Sequence, residues 1–96
     1  MAFPSHGLTH RSTATGRRGM VASGHPLASL AGVQILLQGG NAIDAIVATA
    51  AALNVVEPYM SGIGGVGYMN IYSARDQEHK ICDYVGLTPA ATDIDM

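Results

Sequence analysis

The stretch "SGIGGVGYMNIY", Ser61 to Tyr72, is the one whose reading decides the fold. Gly62, Gly64 and Gly67 satisfy GxGxxG, and Asp83 follows about twenty residues after the first glycine, as a dinucleotide-binding fingerprint requires. That fingerprint works only with a strand before the glycines and a helix after them, so that the pyrophosphate meets a helix N-terminus. Here a helix-like apolar run, Ala45 to Val56, precedes the glycines, and an alternating stretch, Tyr68 to Tyr72, follows them. The order is reversed, and no phosphate cradle results. Gly62, Gly64, Gly65 and Gly67 instead read as a structural turn in which the backbone bends sharply between a helix and a sheet, with a glycine-only φ expected at Gly64.

Working upstream, Asn41 is placed to cap a helix, with Asp44 in its first turn where a carboxylate interacts favourably with the helix dipole. From Ala45 to Val56 that helix is apolar or small on every side except at Thr49 and Asn54, so it calls for cover around nearly its whole circumference. Before it, "PLASLAGVQILLQ" begins with Pro26, which suits a first helical turn, and places Leu30, Val33 and Leu37 on one stripe. Gly39 and Gly40 supply a left-handed stop. Met20 to Ala22 form a short strand candidate ahead of Gly24 and Pro26.

Downstream, Met69 and Ile71 alternate with Tyr68, Asn70 and Tyr72 as a strand does. After the polar turn "ARDQE", "HKICDYV" returns as a second strand, with Ile81, Asp83 and Val85 on one face and Cys82 and Tyr84 on the other. The pair reads as a β-hairpin. The fold expectation is therefore α+β: strand, two helices, glycine turn, hairpin.

The chain has 96 residues, enough for one small domain that buries roughly 60 to 65% of its unfolded surface. Hydrophobic residues make up 48% and charged residues 12%, the latter about half the usual share. Net charge is −2, and the basic residues are scattered apart from Arg17 and Arg18, so no electrostatic footprint for nucleic acid is present. The apolar helix is too short to span a bilayer. With Cys82 alone, neither an internal disulfide nor a CxxC metal site can form. His6, His10, His25 and His79 share no ligand spacing within one element, so neither metal nor cofactor is expected. Cys82 reads as a small strand hydrophobe, and Asp83 as a carboxylate satisfied by a hydrogen bond. Residues 1–18, rich in Ser, Thr, Gly and His and without a signal-peptide core, read as a flexible leader, which leaves the cytoplasm as the default compartment.

Taken in order, "GMVASGHP", "GGNAIDA", "SGIGGVG" and "ICDYVGLTPAAT" resemble the start of the large subunit of γ-glutamyltransferases, also called glutathione hydrolases. The resemblance runs from about Gly19 to Thr92 and implies that residues 19–96 are the N-terminal segment of a large subunit, an incomplete domain. It implies an αββα N-terminal-nucleophile hydrolase, made as a precursor that cleaves itself to expose a threonine at the head of a small subunit. That threonine attacks the γ-glutamyl amide, with its own α-amino group as base. The resemblance places this nucleophile beyond Met96, so the chain alone is expected to be inactive, with the rest of the large subunit and the threonine-led small subunit as partners. Family members are often exported.

One position departs from the family pattern. Where an arginine that grips the α-carboxylate of the glutamyl substrate is expected, "DYVGLTP" has Val85, and Gly86 stands where an acidic residue often follows. A bidentate arginine contact has no counterpart in valine. Two enzyme readings follow: cleavage of glutathione or related γ-glutamyl amides, with the carboxylate held elsewhere, or an acylase or oxamate-type amidohydrolase of the same family. A third reading is a non-catalytic scaffold or truncated fragment, to which the all-round apolar second helix lends weight.

Overall fold

A computed structural model describes residues 12–95, so His6, His10 and the greater part of the expected leader lie outside the described residues. The elements run α1 (Pro26–Leu37), α2 (Ala42–Val56), β1 (Tyr68–Ser73) and β2 (Glu78–Asp83).

Both helices start with side-chain caps. His25, extended at φ −140°, accepts the Leu27 N–H on Nδ1 (3.1 Å), and Pro26 occupies the first helical position, where a missing N–H costs nothing. At α2 the Asn41 side chain accepts from the Asp44 N–H (2.9 Å) while the Asp44 carboxylate accepts from the Asn41 N–H (3.0 Å), a reciprocal capping box. The expected stop of α1 is present in full. Gly39 takes φ +93°, its N–H donates to the Leu36 carbonyl (3.1 Å), and the Gly40 N–H donates to that of Ile35 (2.9 Å).

The tight turn folds α2 back along α1 as a helical hairpin. Gly24 stands beside the Glu57 carboxylate at the far end of α2, and Gly32 lies against Thr49 and Ala45 near its middle, which fixes an antiparallel course. The seam is made of small residues: Ala28 and Gly32 on α1, Ala45 and Thr49 on α2, all buried. Thr49 brings a hydroxyl into this seam and satisfies it by donating to the Ala45 carbonyl at 2.8 Å. The stripe of Leu30, Val33 and Leu37 does not face this seam. Leu37 is 82% exposed and Leu30 51%, because the close approach of two backbones favours residues without bulk.

Met20 to Ala22 do not form the expected strand; no strand in the described residues pairs with them, and the segment lies along α1 instead. Val21 reaches the space beside Gly32, and Leu36 lies beside Gly19. The hairpin is antiparallel with Tyr68 opposite Asp83, Met69 opposite Cys82, Asn70 opposite Ile81 and Ser73 opposite Glu78. Opposed residues share a face, so Met69 and Ile71 lie with Cys82 and Lys80, and Tyr68, Asn70 and Tyr72 with Asp83, Ile81 and His79. Every residue of β2 is exposed, Cys82 included, so the cysteine is not packed as a core hydrophobe. Tyr68 and Tyr72 are about two-thirds exposed.

The helical hairpin and the β-hairpin are separated by open clefts. One of about 520 Å³ runs between Ile43 and Ile46 of α2 and the length of β1. A second, of about 610 Å³, lies between the later turns of α2 and the glycine segment. Ile46, Val47 and Val55 are among the side chains left open on α2, as expected for a helix apolar on all sides in so short a chain.

Candidate functional site

The glycine segment begins where α2 ends. Glu57 closes the helix, its carbonyl accepting from the Met60 and Ser61 N–H groups (both 3.0 Å), and Ser61 Oγ then donates to Asn54 Oδ1 (2.6 Å), tying the chain back to α2. A loose turn follows, with the Gly65 N–H 3.4 Å from the Gly62 carbonyl. Gly64 does not adopt the left-handed φ expected of it; among the described glycines only Gly39 has a positive φ. A Cβ at Gly62 or at Gly64 would meet nothing within 4 Å. The steric demand falls on Gly67, where a Cβ would stand 2.9 Å from Tyr84 Oη and 3.0 Å from its Cε2.

This contact joins the two candidate features of the sequence. Tyr84 follows β2, and its N–H donates to the Gly67 carbonyl (3.1 Å), one step beyond the Tyr68–Asp83 pair. Val85 comes next, 43% exposed, with its N–H donating to Asp83 Oδ1 (3.0 Å). Gly86 lies close to Val66, whose Cγ1 would be 3.9 Å from a Cβ there. The end of the glycine turn and the segment around residue 85 are therefore neighbours, and Tyr84 also lines the larger cleft with Asn54, Ser61 and Met69.

Asp83 is exposed, and it meets its hydrogen-bonding need with a backbone N–H two residues on. A carboxylate closing a strand is a legible signal for this kind of turn. The fit of Tyr84 onto Gly67 had no such signal. His79 contacts Asn70 Oδ1 through Nε2 across the hairpin, and His25 is the helix cap; both are structural partners. Lys80 pairs with Glu78 (2.8 Å) at the surface. Among the described residues no three His, Cys, Asp or Glu side chains gather to hold a metal, and no helix is long and apolar enough to cross a membrane. Among the described residues no nucleophile and base stand together here; what the arrangement offers is a backbone tied at residues 84 and 85, with Tyr84 on the wall of a cleft.

The family described as Gamma-glutamyltranspeptidase matches residues 28–96. The chain is 48% identical over 87 residues to the glutathione hydrolase proenzyme of Bacillus subtilis strain 168, a match covering 91% of this chain and 15% of that protein. It is 52% identical over 86 residues to the acylase ACY 1 proenzyme of Pseudomonas sp. strain V22, covering 90% of this chain and 15% of that one. The crystal structure of Helicobacter pylori gamma-glutamyltranspeptidase superposes with a TM-score of 0.78 at 39% identity, over 88% of this chain and 24% of that chain. The chain thus spans about 15% of the length of the curated relatives it matches.

Proposed function

Because the chain belongs to the gamma-glutamyltranspeptidase family, we propose that it serves as the opening segment of the large subunit of an enzyme that cleaves γ-glutamyl amides. The observation that carries this reading is the match over residues 28–96, which takes in the helical hairpin, the glycine turn and the β-hairpin together.

In this reading the chemistry belongs to a threonine at the head of a small subunit, released by self-cleavage of a precursor. Its hydroxyl oxygen attacks the amide carbonyl, and its α-amino group takes the hydroxyl proton and passes it to the departing nitrogen. An acyl ester remains, and water or an amine acceptor then breaks that ester and regenerates the hydroxyl. The relatives are proenzymes, which agrees with a processed, two-part architecture. The contribution of this chain is shape: it ties the backbone at residue 85, next to the cleft-lining Tyr84, and offers the apolar faces of α2 to the remainder of the large subunit.

A second reading is favoured by Val85. An enzyme without a cation at that position is suited to an acyl group that carries no α-carboxylate, and the 52% identity to an acylase proenzyme points the same way. The experiment is expression of the complete reading frame, followed by a denaturing gel and assays with a γ-glutamyl anilide and with an acyl anilide lacking the carboxylate. Two fragments, the smaller beginning in threonine, and release of the aniline from the γ-glutamyl compound support the first reading. Release from the second compound alone moves the assignment to the acylase branch, and an unprocessed, inactive chain overturns both in favour of a scaffold.

A further inference from the structure

Three contacts converge on the backbone just beyond β2. The Tyr84 N–H donates to the Gly67 carbonyl at 3.1 Å. The Tyr84 ring lies so close to Gly67 that a Cβ there would be 2.9 Å from Oη, 3.0 Å from Cε2 and 3.1 Å from Cζ. Asp83 Oδ1 accepts the Val85 N–H at 3.0 Å. We propose that Asp83, acting with the Gly67–Tyr84 contact, is a positioning residue for the side chain at 85 and so for selection of the acyl group. This rests on the reading of residue 85 as the acyl-selecting position.

Residue 85 stands past the last paired residue of the hairpin, where a chain without further ties gains freedom. Here the N–H groups of residues 84 and 85 are both engaged, one by a carbonyl across the hairpin and one by a carboxylate, and the tyrosine ring lies against Gly67. A hydrogen bond to a carboxylate is stronger than one between neutral groups. Selectivity needs this restraint, since a binding group must be held to within about 0.5 Å of its productive place. Asp83 has no burial to maintain and makes no ion pair among the described residues, so its removal leaves the packing of the helices untouched.

The test uses the complete, processed protein with Asp83→Ala and Asp83→Asn. The readouts are kcat and KM for the two anilides named above and amide hydrogen exchange at Val85. The expected result for Asp83→Ala is normal self-cleavage, faster exchange at Val85 and a change of about tenfold in the kcat/KM ratio of the two substrates, carried by KM, as expected when a binding group is misplaced. Asp83→Asn retains an acceptor oxygen and is expected to stay within about twofold of wild type. Gly67→Ala, which displaces the tyrosine ring, shifts the ratio in the same direction as Asp83→Ala. An unchanged ratio in Asp83→Ala overturns the positioning role, as does an Asn variant that behaves like Ala. Unchanged exchange at Val85 overturns the tether itself, whatever the activity. A wild-type protein that cleaves neither anilide overturns the functional reading instead, and that outcome is visible before any variant is compared.

Discussion

Gly32→Ala adds one methyl group in the buried seam between α1 and α2. The new carbon would fall on Thr49 Oγ1, stand 2.9 Å from Val21 Cγ1 and lie 3.2 Å from the Ala45 carbonyl oxygen. Val21 can turn aside, but Ala45 offers backbone, and Thr49 is 1% exposed with its hydroxyl committed to Ala45 at 2.8 Å. Overpacking of this kind costs about 1 to 3 kcal/mol. Turning the Thr49 hydroxyl away gives up a buried hydrogen bond worth about 1 kcal/mol. Alanine returns about 1 kcal/mol through its better helix propensity. The balance is a destabilisation of about 2 kcal/mol, which moves a urea midpoint down by about 1 M when the slope is near 2 kcal/mol/M. Thr49→Ala opens the space, so Gly32→Ala made on that background is expected to cost less than about 1 kcal/mol, and the difference is the coupling between the two sites. A Gly32→Ala protein as stable as the parent, or more stable by the propensity gain alone, would refute the close approach of the helices. Equal costs on the two backgrounds would refute Thr49 as the obstacle.

Gly39→Ala is expected to cost about 1 to 2 kcal/mol by urea unfolding, all of it backbone strain at φ +93°, because a Cβ there meets no atom within 4 Å. Asp44→Ala removes half of the capping box and the first-turn carboxylate, for a loss of about 1 kcal/mol that shrinks in high salt if the dipole term matters. His25→Ala should lose about 1 kcal/mol, and His25→Ser, which restores a capping oxygen, should recover most of it. In the complete protein, Val85→Arg is expected to raise kcat/KM for a γ-glutamyl anilide about tenfold, the worth of one charge-assisted contact to the α-carboxylate; no change in binding or turnover would sink the assignment of that position.

Local rules made the helical hairpin legible. Asn41 with Asp44, Pro26, and the Gly39–Gly40 pair each act within a few residues of themselves, and each appears in the structure in the role its chemistry dictates. The alternation of β1 was legible for the same reason. What misled was any inference from bulk. Leu30, Val33 and Leu37 make a clean apolar stripe, yet the helices meet through Ala28, Gly32, Ala45 and Thr49, because two backbones at short range exclude large side chains. The strand pattern makes Cys82 a small hydrophobe, but an isolated two-stranded hairpin has no layer to pack against, and Cys82, Tyr68 and Tyr72 are all exposed.

The glycines show why the site was harder to read than the fold. In "SGIGGVG" a pattern match treats Gly62, Gly64 and Gly67 alike, but they answer to different constraints. Gly62 and Gly64 have open space where a side chain would go and no left-handed φ, whereas a side chain at Gly67 would have to displace Tyr84, which lies across the hairpin and distant in sequence. A motif records that a glycine is present and not what it is pressed against. The same holds for Val85: its identity is visible in the sequence, and the restraints on it, from Asp83 and from Gly67 through Tyr84, arise only when the hairpin closes. Substitution to alanine separates the two kinds of glycine. Gly64→Ala should leave the placement of residue 85 unaltered, and Gly67→Ala should disturb it, so a selectivity change in the second variant alone would trace the acyl preference to the contact and not to the turn.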